Sequence, residues 1–206
     1  MVDLCNLACS NDCLDLCHVD HLPHPLFADA VHMFPMIWRF FPTLDPQVDV
    51  FMSRDLDSVV KLREVEAVEE WLESGKTLHV MRDHPQHTAH MLGGLWGVQM
   101  TTGRRQVWRD IWKDIWTDII ADPVSLTKRG RKGPDQSVLT HHVWGRLPGG
   151  ELQHDSFSCA QYPGAVGFPS QRQNSTGNVV GGGMYRKQEN FECPMQCRRK
   201  QSWTFC

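Results

Sequence analysis

Two aspartates, Asp55 and Asp57, stand one residue apart in the stretch VDVFMSRDLDSVV, where an apolar, strand-like run comes to an end. In an extended segment alternate side chains share a face, so both carboxylates can reach one point. Two hard oxygen donors at one point suit Mg²⁺ or Mn²⁺ held jointly with a substrate diphosphate. Without a cation the two negative charges would repel each other. The pair is therefore a candidate divalent-cation site, and a solvated turn is the alternative that needs no ligand.

Two other interpretations of the same aspartates involve different chemistry. An EF-hand calcium loop counted from Asp55 would need a ligand and then a glycine where Val59 and Val60 stand, so this interpretation is excluded. The letters DLDSVV also fit the Asp-x-Asp-x-(Thr/Val) nucleophile motif of haloacid-dehalogenase-like phosphatases. In those enzymes the aspartate directly follows the strand, whereas Ser53 and Arg54 separate Asp55 from the predicted strand. No convincing Gly-Asp-x-x-x-Asp follows, and a phosphatase that uses Asp55 is a distant alternative.

The aspartates must be positioned by an alternation of strands and helices. Apolar runs rich in β-branched and aromatic residues predict strands at 14–19, 48–52, 77–81 and 91–100. Apolar residues at three- and four-residue spacing predict helices at about 60–74 and 105–123, with Gly75 ending the first. Shorter helices are predicted within 31–46 and 133–144, and the chain after about 150 is predicted to be irregular. Strands that alternate with helices indicate an α/β domain with a mainly parallel sheet.

Both long helices carry an apolar face that predicts packing against a sheet. On the helix at 105–123 the face consists of Trp108, Ile111, Trp112, Ile115, Trp116 and Ile119. We assign this stripe to the core and not to a cofactor site, because packing on a sheet explains it fully. On the helix at 60–74 the predicted face consists of Val65, Val68, Trp71 and Leu72.

Length and composition suit one globular domain. The chain has 206 residues, 41% of them hydrophobic and 22% charged, and a net charge of −3. We divide it into a cysteine-rich lead-in at 1–13, an α/β core at 14–158 and an irregular tail at 159–206. The charge balance gives no strongly basic surface that would favour nucleic acid as a partner. No apolar run approaches the ~20 residues that a membrane-spanning helix needs.

Eight cysteines and a glycosylation sequon predict an oxidising environment. The cysteines form two groups, Cys5, Cys9, Cys13 and Cys17, then Cys159, Cys193, Cys197 and Cys206. Neither group has the paired Cys-x2-Cys of zinc ribbons, so disulfides are favoured over zinc. The sequon is Asn174-Ser175-Thr176. These features predict the secretory pathway, in the Golgi lumen or outside the cell. No signal peptide is visible, which predicts an N-terminally truncated chain.

Further motifs follow the aspartates in order: HVMRDHPQH, MLGGLWG, GPDQSVL and QHDSFSC. This succession resembles the nucleotide-diphospho-sugar transferases of the GT-A fold. In particular it is similar to an uncharacterised glycosyltransferase-like subgroup with Ser-Arg-Asp-x-Asp-Ser, Trp-Leu-x-Ser-Gly-Lys, Met-Arg-Asp-His-Pro and Gly-Gly-x-Trp-Gly. The likeness runs from about Leu14 to Cys206, and several motifs agree in both order and spacing.

The resemblance implies a GT-A-like fold and a metal-bound donor. Asp55 and Asp57 would hold Mn²⁺ or Mg²⁺ against the diphosphate of a UDP- or GDP-sugar. Such folds often take a third ligand from a histidine late in the domain, which His154 would supply; a surface histidine in a turn is the alternative. Arg54 would contact a phosphate or simply pair with a carboxylate.

The resemblance also implies which residues surround the sugar. Asp135 and Gln136 would lie near the donor sugar or act on the acceptor, although Asp135 could equally be the N-cap of the following helix. The remaining pocket residues would be His84, Gly93, Gly94 and Trp96. Glycines allow a sugar to approach the backbone, and a tryptophan offers an apolar face to a sugar ring. A core tryptophan beside a strand bulge explains the same letters.

The function implied is metal-dependent transfer of a sugar from a nucleotide-sugar to a glycan or protein acceptor. The alternative from another class is a non-catalytic, secreted carbohydrate-binding or structural domain that has kept the fold. Two departures from the family bear on this choice. Only 54 residues precede Asp55, so the base-binding strand is not found, and Val59 stands where a basic residue is expected. Truncation could thus leave the metal site in place and remove donor affinity.

Overall fold

The computed structural model describes residues 33–121, 133–172, 179–182 and 191–206, with positions 10, 12, 14, 16, 21 and 30. The helices are α1 (Pro35–Trp38), α2 (Leu62–Ser74), α3 (Thr102–Ala121) and α4 (Pro134–Val138). The strands are β1 (Val50–Arg54), β2 (Leu78–Arg82), β3 (Leu95–Gln99) and β4 (Glu151–Asp155). Short 3₁₀ turns lie at Phe41–Leu44 and Met195–Cys197, and a π-helical turn at Leu139–Val143.

Several predictions concern residues outside those ranges. They are the lead-in at 1–13, most of the strand at 14–19, the N-terminal cysteines and the Asn174 sequon. Within the part of the chain that the structure does describe, none of the helices is both long and apolar enough to cross a membrane.

The four strands form one mixed sheet in the order β1-β3-β2-β4. Strand β3 is antiparallel to both β1 and β2, whereas β2 and β4 are parallel. The predicted α/β class with flanking helices is confirmed, but a mainly parallel sheet is not. The reason lies in residues 83–94, which join β2 to β3 without a crossover helix, so the chain returns antiparallel beside β2.

This topology brings several chain segments to one edge of the sheet. Strands β1, β2 and β4 point the same way, and β3 begins where they end. Asp55, Asp83 and Ser156 each follow directly on one of the three co-directional strands, and Gly94 directly precedes β3. Ligands of open α/β sheets gather at this carboxyl edge of the strands. A ligand site is therefore expected at this edge of the sheet.

The strands differ from prediction in several bounds. Strand β3 begins at Leu95, four residues after the predicted start. Strand β1 continues to Arg54, two residues beyond the predicted end, so Asp55 follows the strand directly. Strand β4 lies in a region predicted to be irregular, because its sequence ELQHD lacks an apolar period-2 pattern. It forms because it pairs with β2 along its whole length and because its buried polar side chains find partners. His154 and Asp155, for example, are both hydrogen-bonded.

The larger apolar core lies between α3 and one face of the sheet. Trp96 of β3 packs edge-on against Phe40 and lies beside Trp108 of α3. Trp108 and Trp112 also donate their indole N–H groups to the Thr43 hydroxyl, at 2.7 and 3.1 Å. The assignment of the tryptophan stripe to the core is thus confirmed. Buried indole N–H groups need such partners.

Helix α2 ends at Gly75 in the left-handed conformation, as predicted, but of its four recurring apolar residues only Trp71 is fully buried. Val65 and Leu72 are 39% and 41% exposed, while Arg63 and Glu64 are buried together with Ala67 and Trp71. The polar pair is buried because other elements supply its partners: Arg63 binds Asp83, and Glu64 binds Arg54. Buried charges are tolerated when they are paired in this way.

Disulfides hold the C-terminal tail. Cys159 is bonded to Cys197 and Cys193 to Cys206, with Cα–Cα distances of 5.5 and 5.8 Å. The prediction of disulfides is confirmed for this group of cysteines. The Cys206 carbonyl accepts a hydrogen bond from Ser156 Oγ at 3.3 Å, so the tail is also tied to the end of β4.

Candidate functional site

A cleft of about 740 Å³ opens at the carboxyl edge of the sheet. Polar residues on its wall include Arg39, Asp55, Asp57, His84, Asp135 and Gln136, and apolar ones include Met36, Leu92, Val179 and Phe191. A cleft of this size accommodates a small organic ligand. Most of the residues predicted to form a site therefore line a single space.

The Gly93–Gly94 turn separates two carboxylates in this cleft. A Cβ atom on Gly93 would lie 2.0 Å from Oδ2 of Asp135, and one on Gly94 would lie 2.6 Å from the Asp55 carboxylate. Ser53 Oγ donates to the Gly93 carbonyl at 2.6 Å and fixes the turn to β1. A larger residue at either position would force the turn or the facing carboxylate to move. The space beside these glycines, where a ligand is predicted to approach the backbone, holds the protein's own carboxylates.

Asp135 is a buried acid with an incomplete set of partners. It is the second residue of α4 and is 1% exposed. Gly133 is the N-cap of this helix, so the alternative N-cap role for Asp135 is wrong. Its Oδ1 has no hydrogen-bond partner among the described residues. Burial raises the pKa of Asp135, with a smaller opposing effect from the Gln136 backbone amide. A cleft acid with a pKa shifted in this way is a candidate for general acid–base chemistry.

Arg39 supplies positive charge to the cleft and was not predicted from the sequence. It follows α1 directly, and its Nη1 lies 2.6 Å from Asp55 Oδ1. It is the one arginine or lysine among the described residues that line the cleft. Its position within an aromatic-rich run, between Trp38 and Phe40, gives no sequence signal for this role.

His84 and His87 also line the cleft. The ring of His84 lies edge-on to Phe191 at 5.3 Å between centroids, and its Nδ1 accepts a hydrogen bond from the Gln86 amide at 3.1 Å. Burial lowers the pKa of His87 to about 4, helped by the nearby His84 ring. His87 is therefore neutral at physiological pH and adds no positive charge to the cleft.

Three predicted site residues do not line the cleft. Arg54 pairs with Glu64, so its alternative role as the partner of a carboxylate is confirmed. Trp96 is fully buried in the apolar core, the alternative foreseen for that residue. His154 lies on β4, three strand spacings of ~4.8 Å across the sheet from β1, or roughly 14 Å.

His154 belongs to a buried network under α2. Its Nδ1 lies 2.8 Å from Nε2 of His79, and its Nε2 lies 3.3 Å from Oε2 of Glu70. It is fully buried, so the surface-turn alternative is wrong. Burial lowers the pKa of His154 to about 4, against a smaller raising effect of Glu70. The network joins α2, β2 and β4 and serves the fold.

The buried histidine predicts a pH dependence of stability. The unfolded chain takes up a proton at His154 near its ordinary pKa of 6.5, whereas the folded protein does so only near 4. The free energy of unfolding should therefore fall by up to about 3 kcal/mol from this group as the pH decreases from 6.5 to 4. Urea titrations at intervals across this range measure it.

The matched variants for this pH series are His154→Gln and His141→Gln, the second at an exposed position on the π-helical turn. His154→Gln should make the dependence shallower, and His141→Gln should leave it as in the wild type. An equally steep dependence in His154→Gln would assign it to other groups.

The oxygen donors in the cleft suit a cation that is coordinated jointly by the protein and a ligand, and not a cation that is coordinated by protein side chains alone. Among the described residues, no group of three or more His, Cys, Asp or Glu side chains could hold a metal ion. Asp55 and Asp57 together supply carboxylate oxygens from one loop of the cleft wall. Mg²⁺ is commonly bound by one or two carboxylates together with substrate phosphates. The pair is thus a candidate to hold Mg²⁺ or Mn²⁺ jointly with a diphosphate.

Comparison with protein-family models, with curated proteins and with solved structures finds no match to this chain. The assignment of a function therefore depends on the chemistry of the cleft.

Proposed function

We propose that the cleft binds a nucleoside-diphosphate sugar with Mn²⁺ or Mg²⁺, and that the protein transfers the sugar to a glycan or protein acceptor. The observation that carries the proposal is the convergence of Asp55, Asp57 and the buried Asp135 on one cleft at the carboxyl edge of the sheet. This arrangement agrees with the resemblance to GT-A transferases drawn from the motifs.

The charge balance of the cleft explains why a cation would be needed. Among the described residues that line it, three are carboxylates and one is an arginine, so a diphosphate alone would meet net repulsion from them. A divalent ion held by Asp55 and Asp57 would neutralise the diphosphate and stabilise its charge as the leaving group. With the cation bound, the carboxylates favour binding of the diphosphate. Without the cation they would repel it.

Asp135 is the proposed general base. Asp135 lines the cleft, and its carboxylate would accept the proton of an acceptor hydroxyl while that oxygen bonds to the anomeric carbon of the sugar. The bond from that carbon to the diphosphate oxygen breaks, and its electron pair leaves with the nucleotide. The raised pKa of Asp135 makes it a stronger base than an exposed carboxylate. Gln136 lies beside it in the cleft and can bind a sugar hydroxyl.

The test is calorimetric titration of UDP and GDP into the oxidised protein with and without Mn²⁺. We expect binding that requires Mn²⁺ and weakens by at least about tenfold in Asp55→Ala/Asp57→Ala, because charged contacts are lost. The matched control is Asp110→Ala/Asp114→Ala, which removes two exposed carboxylates of α3. Absence of nucleotide binding under all of these conditions would contradict the proposal. Glycan binding that needs neither nucleotide nor metal would favour the non-catalytic carbohydrate-binding domain.

A phosphatase is the second candidate, and one observation favours it. Strand β1 ends at Arg54, so Asp55 follows the strand directly, as the nucleophile of haloacid-dehalogenase-like phosphatases does. The ion pair of Asp55 with Arg39 opposes it, because a paired carboxylate is a weaker nucleophile. Release of inorganic phosphate from a phosphomonoester, abolished in Asp55→Asn, would select this candidate.

We further propose the secretory pathway as the location. The two tail disulfides are compatible with an extracellular or lumenal protein, since disulfides persist in oxidising compartments.

A further inference from the structure

Arg39 forms an ion pair with Asp55, and Asp55 is one of the two carboxylates that bind the cation in the proposed function. Arg39 Nη1 lies 2.6 Å from Asp55 Oδ1, and the two side chains are 26% and 48% exposed. A divalent ion bound to the same oxygen at ~2.1 Å would bring a second positive charge against the guanidinium. The two cations cannot share this oxygen without strong repulsion.

The guanidinium lies above the turn that separates the two carboxylates of the cleft. Its Nη1 is 3.8 Å from the position that a Cβ of Gly93 would occupy, and Oδ2 of Asp135 is 2.0 Å from the same position. Asp135 is almost fully buried, and its Oδ1 has no hydrogen-bond partner among the described residues. Arg39 is thus placed between an exposed carboxylate, which it binds, and a buried carboxylate, whose charge it faces.

We propose that Arg39 and a divalent cation compete for Asp55, and that the displaced guanidinium binds the diphosphate that arrives with the cation. This inference rests on the proposed function. The planar guanidinium matches two phosphate oxygens at once. The exchange requires little energy, because a partly exposed ion pair contributes little to stability. Arg39 would then be a determinant of diphosphate recognition.

The proposal predicts effects of opposite sign in one variant. Arg39→Gln should bind Mn²⁺ alone up to about fivefold more tightly than the wild type, because the competing ion pair is gone. In the presence of saturating Mn²⁺ it should bind UDP and GDP at least about tenfold more weakly, because a charge-assisted contact to the diphosphate is lost. A variant that was merely misfolded would lose both affinities.

Mn²⁺ binding is measured by the paramagnetic resonance of the free ion, and nucleotide binding by calorimetry. Arg39→Lys should bind Mn²⁺ with about the affinity of the wild type. Its nucleotide affinity should lie between those of the wild type and Arg39→Gln, since lysine is a point charge without the guanidinium fork. Arg109→Gln, at an exposed position on α3, is the control for loss of one positive charge. Thermal melting of each variant checks that it is folded.

Each outcome decides between the two proposals. Unchanged or weaker Mn²⁺ binding in Arg39→Gln overturns the competition, and unchanged nucleotide affinity overturns the transfer of Arg39 to the diphosphate. If the wild type binds Mn²⁺ but no nucleotide, the proposed function fails, while the Mn²⁺ titration still decides whether Arg39 competes for Asp55. A wild type that binds neither overturns both.

Discussion

An Asp83→Ala variant should lose about 3–5 kcal/mol of its free energy of unfolding, because it leaves a buried cation without its partner. Asp83 is fully buried directly after β2. Its carboxylate accepts two hydrogen bonds from Arg63, at 3.1 and 3.2 Å, and one from the Val180 amide at 2.9 Å. Ser156 Oγ donates a further short bond. One side chain thus joins α2, the end of β4 and the segment that forms a wall of the cleft.

Urea denaturation followed by tryptophan fluorescence measures this loss. Asp83→Asn should be intermediate, because it keeps the shape and can still accept a hydrogen bond but loses the charge. Asp110→Ala, an exposed residue of α3, is the control for removal of one carboxylate and should unfold as the wild type does. A loss below about 1 kcal/mol in Asp83→Ala would mean that water or a rearranged Arg63 replaces the carboxylate.

The second large effect is expected from Gly94→Ala. The added methyl group would lie 2.6 Å from the Asp55 carboxylate, so either the turn or Asp55 must move. We expect a loss of less than about 1 kcal/mol in stability, because the half-exposed Asp55 side chain can turn away from the added methyl group. Mn²⁺-dependent nucleotide binding should weaken by at least about tenfold, because a displacement of about 1 Å is enough to disturb a preorganised site.

Two further glycine variants make this prediction specific. Gly93→Ala would place its methyl group 2.0 Å from Oδ2 of Asp135, so it should impair sugar transfer more than nucleotide binding. Gly103→Ala meets no atom within 4 Å, and as a residue of α3 it should be neutral or stabilising. If Gly94→Ala and Gly103→Ala bind nucleotide with equal affinity, the turn does not position Asp55 for nucleotide binding.

Much of the cleft could be predicted because its residues come from motifs at the ends of strands. Asp55, Gly93 and Gly94 flank β1 and β3, and the edge of a sheet brings such positions together whatever the loops do. Asp135 and Gln136 reach the same space from the start of α4. Their convergence on one cleft follows the order of motifs read from the sequence.

The residues that were missed or misplaced depend on tertiary partners. Arg39 has no role in any local pattern, and its place in the cleft follows from its contact with Asp55, 16 residues away. Of the apolar face predicted for α2 only Trp71 is fully buried, because Arg63 takes a buried position and binds Asp83. His154 was expected at the metal, yet alternation along β4 directs it to Glu70 and away from the cleft. Local periodicity carries no information about such partners.

The hydrogen bond from Val180 to Asp83 spans 97 residues of chain, and this separation orders events during synthesis. At about 5–20 residues per second, the ribosome reaches Val180 roughly 5–20 s after Asp83 has been made. Until then the strands and the paired aspartates exist without the cleft wall formed by Val179, Gly181 and Phe191. A ligand of the cleft would therefore stabilise only a chain in which this wall has formed, and binding activity would report that step of maturation in the cell.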